Sequence, residues 1–412
     1  MNTKHDPLFI ASKLEELNFL NSLSVTPFPE FKSLDWDYAL YTEFKFKLMQ
    51  HLRAECVHDL TEPVTKRTTQ KFQLGEMSYE YLYQRQGLSV TLGNSLITYG
   101  IPRVENTHFE FFTTSGQSAT LCALSFLKKE FPELNIYKEK TSSLYYESNE
   151  LIDFLGLTED SDGKCFFYDG SFTYSLNKLQ KSLENAKLFI FDTTLFDQGS
   201  TELKFILEFL LEKKIPSLLV RSHLKLDSFG AEYSSLGSVA AINMDGHKKQ
   251  SSLAKCLSLT GSYASIDQVY PFLGNPEFVT LSSNRNKRIQ KFGRLLTDGV
   301  QKIISEKEYY FSVISTWHSY YFYLKYPSVT ELNMHLEFEK LKLLSNVHAT
   351  YCDSFGFDFL TLTCVPVIES VSNHYMYRFS CPDLSEEALA TVLEFFSMFL
   401  DRLNKKLPSI SQ

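Results

Sequence analysis

The chain has 412 residues, 43% of them hydrophobic and 22% charged, and a net charge of −8 at pH 7. That length suits two domains and a core large enough to need no disulfide or metal staple. The acidic balance without a basic run excludes a nucleic-acid partner, because neutralising phosphates needs clustered Lys and Arg. No apolar run reaches the ~18 residues of a membrane helix, so no membrane partner is expected. The seven cysteines are odd in number and form no CxxC pair, which argues against a disulfide framework or zinc site and for a reducing, cytoplasmic setting. The N-terminus, MNTKHDPLF, has no apolar core behind basic residues, so no signal peptide is expected.

Residues 1–80 read as an N-terminal arm, with a helix over 38–54 and a polar, irregular stretch over 58–75. A large α/β domain is predicted over 81–283. HFEFFTT (108–114) is a strand, SGQS (115–118) a turn and ATLCALSFLKKEF (119–131) a helix. KCFFYD (164–169) and KLFIFDTT (187–194) are strands, the second apolar enough to be buried on both faces. TELKFILEFLLEKK (201–214) is an amphipathic helix between that strand and IPSLLVRS (215–222), and SVAAIN (238–243) closes the series. Strands alternating with helices predict a mostly parallel, doubly wound sheet. A smaller α+β domain is predicted over 284–412. It comprises a long helix (284–307), one strand from the aromatic segment 309–326, a strand at YMYRFS (375–380) and a helix over 386–403. Asp383 and Glu386 have the spacing of a capping box for that last helix.

Three places carry chemistry. Ser115-Gly116-Gln117-Ser118 lies between a strand and a helix start, where backbone N–H groups and the helix dipole favour an anion. Small residues also occupy such turns for conformational reasons alone. Asp192 ends a buried strand, where open α/β sheets place ligands. A carboxylate there can hold a protonated pyridine nitrogen, and it also suits a turn cap with Thr193 and Thr194. Ser222-His223-Leu224-Lys225 follows the next strand. Partial desolvation of a lysine there favours the neutral, nucleophilic amine that condenses with an aldehyde. His223 is either a polar loop residue or a neighbour of the ligand.

In this order the three places resemble the layout of fold-type I pyridoxal-phosphate (PLP) enzymes of the aspartate-aminotransferase fold. The closer resemblance is to the cysteine/methionine-metabolism group of cystathionine synthases and lyases. Tyr83-Gln84-Arg85-Gln86-Gly87 resembles its Tyr-x-Arg-x-Gly motif, Ser115 to Ala119 its phosphate loop, and Leu144 to Ser148 the segment with the ring-stacking tyrosine. Asp192-Thr193-Thr194 resembles its Asp-x-Thr, and Arg378-Phe379-Ser380 its C-terminal Arg-x-Ser. The match spans residues 80–405.

The resemblance implies pyridoxal 5'-phosphate bound to Lys225 as a Schiff base, with Asp192 on the pyridine nitrogen and Tyr145 stacked on the ring. It implies that Ser115, Gly116, Gln117, Thr194 and Ser222 hold the cofactor, joined by Tyr83 and Arg85 from a neighbouring subunit. Arg378 would clamp the α-carboxylate of an amino-acid substrate. A homodimer or tetramer of dimers follows, with no metal. The implied reaction is β- or γ-elimination or replacement, and the departures around Leu224 and Asp227 point to an unusual substrate, in specialised biosynthesis. Transamination is the second reading, and a non-catalytic binding protein on the same fold the third. There are departures from the group. The Asn-Pro-Thr after the Tyr-x-Arg motif is missing, Leu224 replaces a hydroxyl residue, and Asp227, Gly230 and Tyr233 stand where a Gly-His pair is usual. These put the group's sulfur substrates in question.

Overall fold

The computed structural model of the chain describes residues 6–31, 37–58, 71–74, 77–81, 88–91, 95–104, 107–137, 145–157, 164–171, 176–265, 268–325, 331–345, 347–369 and 372–405. It divides into two compact units. One comprises Asn18–Pro29 and Phe46–Ser283, and the other Met1–Leu17, Glu30–Lys45 and Asn284–Gln412. Among the described residues no helix is long and apolar enough to cross a membrane.

In chain order the elements begin with helices α1 (Pro7–Ser22) and α2 (Tyr38–His58). Strands β1 (Lys71–Leu74), β2 (Met77–Tyr81) and β3 (Leu88–Thr91) then form a small antiparallel sheet that the polar look of 58–75 did not announce. The main α/β series is β4 (Phe109–Thr113), α3 (Gly116–Glu130), β5 (Ile136–Tyr137), α4 (Tyr146–Phe154), β6 (Cys165–Tyr168), α5 (Leu176–Leu183), β7 (Leu188–Asp192), α6 (Thr201–Glu212), β8 (Ser217–Ser222), the single turn α7 (His223–Leu226), β9 (Gly237–Ile242) and α8 (His247–Thr260). These strands make one sheet in the order β4-β9-β8-β7-β6-β5. β5 to β8 are parallel, and β9 is antiparallel to both β8 and β4, so five strands point one way and β9 alone the other.

Alternation along β7 explains its continuous apolar run. Leu188 and Ile190 face a core shared with Ala119, Ala123, Phe126 and Leu127 of α3 and Leu253 and Leu257 of α8. Phe189 and Phe191 face the other way, and Phe191 packs against Tyr168 and Phe196 at centroid distances of 5.7 and 5.0 Å. Each such side chain contributes about 1.5–3 kcal/mol by burial, so both faces of the strand are committed to the core. Chemistry is left to the strand ends.

The chain continues with α9 (Pro276–Glu306), which enters the second unit at Asn284, then β10 (Ser312–Ser315), β11 (Tyr321–Lys325), α10 (Glu331–Leu344), β12 (Ala349–Tyr351), β13 (Leu360–Glu369), β14 (Ser372–Ser380) and α11 (Leu389–Asn404) of that unit. Its sheet order is β10-β11-β14-β13-β12, with only β12 and β13 parallel. The aromatic segment is therefore a hairpin of two strands rather than one. α9 starts eight residues before the sequence reading, with Pro276 in its first turn, where a missing N–H costs nothing. Phe338 of α10 and Phe395, Phe396 and Phe399 of α11 pack on the sheet face that carries Phe322 and Phe379.

Asp383 does not cap α11. Ser385 takes the N-cap position of the short 3-10 turn Glu386–Ala388 that precedes it. Asp383 instead lies in a buried ionic cluster. Lys13 bonds both Asp358 and Asp383, Lys45 bonds Asp358, and Arg285 reaches Asp358 at 2.9 Å. Arg288 bonds Asp383 at 3.0 and 2.8 Å and Glu16 at 2.5 Å. Burial alone would raise the carboxyl pKa of Asp358, but Lys13, Lys45 and Arg285 outweigh it and hold the group far below the usual range. Lys45 goes the other way: burial outweighs the attraction of Asp358 and lowers it to about 8.

Candidate active site

The C-terminal ends of β4, β6, β7 and β8 share one edge of the main sheet, and the chemistry-bearing residues of that unit cluster along it. At β4, Ser115 is the N-cap of α3, and its Oγ accepts the N–H of Ser118 at 3.1 Å. The Thr113 hydroxyl donates to the Ser115 carbonyl at 2.8 Å and fixes the turn. Two glycines let the backbones close in. A Cβ on Gly116 would lie 2.6 Å from the Cβ of Ser222, and one on Gly237 would lie 2.3 Å from the Ser115 carbonyl oxygen. The start of α3 is thus pressed directly against the end of β8, which puts the Ser115-Gly116-Gln117 turn beside Ser222. Gln117 is exposed and Ser222 half-buried.

β7 and β8 are adjacent, with Asp192 in register with Val220. The Asp192 Oδ1 accepts the Thr194 N–H at 2.9 Å, and the Thr194 hydroxyl accepts the Ser222 N–H at 2.9 Å, so Thr194 joins the two strand ends. Burial pushes the Asp192 carboxyl up to about 6 against its hydrogen bonds from Thr194, and the charge of Asp169 adds to the rise. Asp169 follows β6 and is itself raised by burial. It accepts the N–H groups of Tyr145 at 2.5 Å and Ser171 at 2.9 Å, which attaches Tyr145, at the start of α4, to the same edge.

Lys225 is half-buried on α7, the single turn that leaves β8. Burial raises the carboxyl pKa of nearby Glu232, and the Lys225 charge opposes that rise. Around this turn lies a buried network that the sequence reading missed. Arg221 donates from Nε and Nη2 to the two oxygens of Asp227 at 2.6 and 2.8 Å, and from Nη1 to the carbonyls of Thr193 and Phe196 at 2.5 and 2.8 Å. The His223 ring bridges Asp227 at 2.8 Å and Ser238 at 2.9 Å. Burial would raise Asp227, but Arg221 outweighs it and holds the carboxylate ionised far below the usual range. The signal in the sequence was an arginine at the end of an otherwise apolar strand, a residue that is almost never fully buried unless paired.

The structure therefore brings Ser115, Gly116, Gln117, Thr194, Ser222, Asp192, Lys225 and, through Asp169, Tyr145 to one sheet edge. Arg378 belongs to the other unit. It is buried on β14 between Tyr323 of β11 and Thr363 of β13, with its guanidinium 5.5 Å from the centre of the Tyr321 ring. Tyr83 and Arg85 lie outside the described residues.

No family model matches the sequence, and neither does any curated protein. Solved structures do match. The chain is similar to cystathionine gamma synthase from Xanthomonas oryzae pv. oryzae, at 14% identity over 72% of this chain and 82% of that one, with a TM-score of 0.51. An aromatic amino acid aminotransferase from Burkholderia cenocepacia J2315 is 14% identical over 86% of this chain and 88% of that one, with a TM-score of 0.49. A cystathione gamma lyase from Micromonospora echinospora is 12% identical over 71% of this chain and 82% of that one, with a TM-score of 0.48. At 14% identity the likeness to the synthase is one of fold: a large, mostly parallel sheet followed by a smaller C-terminal one, the fold-type I architecture in divergent form.

Proposed function

We propose that the chain is a PLP-dependent enzyme acting on an amino-acid substrate, with Lys225 as its cofactor lysine. The observation that supports this best is the shared edge: a helix start, a buried-strand carboxylate and a half-buried lysine on three elements that meet at the end of β8. The residues fit the group. The first N–H groups of α3, with Ser115, Gly116, Gln117 and the Ser222 hydroxyl, offer donors to a phosphate ester. Asp192, already destabilised as an anion by burial, gains most from a cationic pyridine N–H. Bound there, the cofactor supplies an electron sink for charge developing at the substrate α-carbon.

The chain's own residues do the rest. Lys225 would hold the cofactor aldehyde through Nζ, and the same Nζ would be the base that takes the substrate α-proton. Tyr145 would cover the ring, Arg378 would take the substrate α-carboxylate in a two-pronged grip, and Tyr83 and Arg85 would serve the phosphate of a second subunit, which calls for a homodimer or a tetramer of dimers.

The reaction we favour is β- or γ-elimination or replacement, on the strength of the Tyr83/Arg85, Tyr145 and Asp192-Thr193-Thr194 motifs. Transamination uses the same groups. The test is to titrate the chain and its Lys225→Ala variant with PLP, then to supply amino acids bearing leaving groups at Cβ or Cγ. Expulsion of the leaving group supports the favoured reaction. A stoichiometric keto acid that retains its side-chain substituent, with the cofactor left as the amine, supports transamination. No visible absorbance change on adding PLP overturns the cofactor reading and leaves a non-catalytic protein on this fold.

A further inference from the structure

We infer that Arg221 and Asp227 are positioning residues that hold Lys225 and Asp192 in mutual register, an inference that rests on the PLP reading above. Arg221 is 1% exposed and spends its donors in two directions. Nη1 grips the Thr193 and Phe196 carbonyls, the loop that immediately follows Asp192. Nε and Nη2 grip Asp227, two residues past Lys225. One rigid guanidinium therefore ties the loop behind the carboxylate to the turn that carries the amine. A lysine could not reproduce this, because its ammonium is a single point with no planar fork.

Asp227 passes the constraint on. With its carboxylate ionised by Arg221, the His223 Nδ1 is the donor in their 2.8 Å contact, which fixes the first residue of α7, while the 2.9 Å contact of Nε2 with Ser238 pins the ring to β9. The Ser228 hydroxyl closes the turn on the Leu224 carbonyl at 2.9 Å. The loop beyond is strained: Phe229 and Glu232 are left-handed at φ 50° and 45°, conformations that side-chain-bearing residues keep only where the surroundings over-determine them. Stability alone does not account for such a network. A buried ion pair is often no more stabilising than an apolar pair of the same volume, because its desolvation cancels most of its attraction. What it supplies is direction, and direction is what the Lys225 amine needs.

Attachment is the step that reads this out. The Lys225 nitrogen forms a double bond to the aldehyde carbon, and the aldehyde oxygen leaves as water with the two amine protons. The experiment compares the wild type with Arg221→Lys and with the double variant Arg221→Met/Asp227→Leu, which removes both charges and leaves none unpaired. Each is mixed with PLP, quenched with borohydride at intervals and mapped by mass spectrometry, with thermal melting recorded in parallel.

We expect the double variant to fold but to melt below the wild type, because the Thr193 and Phe196 carbonyls and the His223 ring lose their partners, while incorporation at Lys225 slows about 100-fold, the scale of a misplacement of about 1 Å. Arg221→Lys, which keeps the charge and loses the fork, should slow incorporation likewise, and it supplies the readout if the double variant does not fold. Wild-type incorporation rates at Lys225 in a folded variant overturn the inference while leaving the cofactor reading intact. A wild-type chain that takes up no PLP overturns the cofactor reading, and this inference with it.

Discussion

In one unit, Asp358 and Asp383 are surrounded by cations from residues 13, 45, 285 and 288. In the other, Arg221 finds its carboxylate six residues further along the chain. Both assemblies are buried, and both hold carboxylates far below their usual pKa by crowding cations around them. Their reach differs. The first joins segments hundreds of residues apart and therefore fixes tertiary structure. The second reaches only from Thr193 to Ser238, around the ends of neighbouring strands, and fixes the aim of a side chain. Similar chemistry serves as a tie in one place and as a mount in the other, and sequence separation distinguishes the two.

Asp358→Ala should break the tie. It leaves Lys13, Lys45 and Arg285 short of a shared carboxylate, at a cost of about 3–5 kcal/mol measured by denaturant titration. The wild-type pKa of Asp358 is depressed, so its stabilisation is present above the unfolded value of about 3.9 and is lost as pH falls through the folded value. The variant should therefore lose less stability in acid than the wild type does. A loss under 1 kcal/mol would show that the cluster is not a tie.

Arg378→Ala should raise KM for an amino-acid substrate by the equivalent of about 1.5–3 kcal/mol, the value of charged hydrogen bonds, with PLP affinity unchanged. A variant that loses PLP but not substrate affinity would remove Arg378 from the substrate side.

Asp192→Asn should be more stable than the wild type without cofactor, by on the order of 2 kcal/mol at pH 7. The Asp192 pKa is raised to about 6, so its contribution is favourable below the unfolded value and is lost as pH rises through about 6. The two chains should converge near pH 4, and the variant should bind PLP yet turn over far more slowly. A variant no more stable at pH 7 would mean that Asp192 is well solvated.

The smallest effect belongs to Lys45→Met. Four cations face three carboxylates in the cluster, and Lys45 is the one whose burial penalty exceeds its attraction. Its folded pKa of about 8 lies below the unfolded one, so the wild type gains stability as pH rises from about 8 towards 10.5. The variant should sit within about 1 kcal/mol of the wild type at neutral pH and lack that gain. A loss as large as that of Asp358→Ala would make Lys45 a full member of the tie.

These contrasts also explain what the sequence made legible. β6 and β7 were readable because burial on both faces writes a continuous apolar run, β4 and β8 because theirs are nearly so, and Asp192 and Ser222 stood out as polar groups at the strand ends. The reversed direction of β9 was not readable, since GSVAAI serves either orientation. The 309–326 hairpin was read as one strand because its turn, with Ser319 left-handed at φ 56°, carries no Gly or Pro to mark it. Asp383 was read as a local cap because local spacing is all a single sequence offers, and its partner Lys13 lies 370 residues away. Arg221 was hidden for a related reason: inside IPSLLVRS it looked like the polar end of a strand, and only the fold brings the Thr193 and Phe196 carbonyls within its reach.

The most direct test of the account is to load the wild-type chain with PLP, reduce it with borohydride and locate the modified peptide by mass spectrometry. The account predicts a single pyridoxyl group on Lys225. A single modification on another lysine, or none at all, would contradict it.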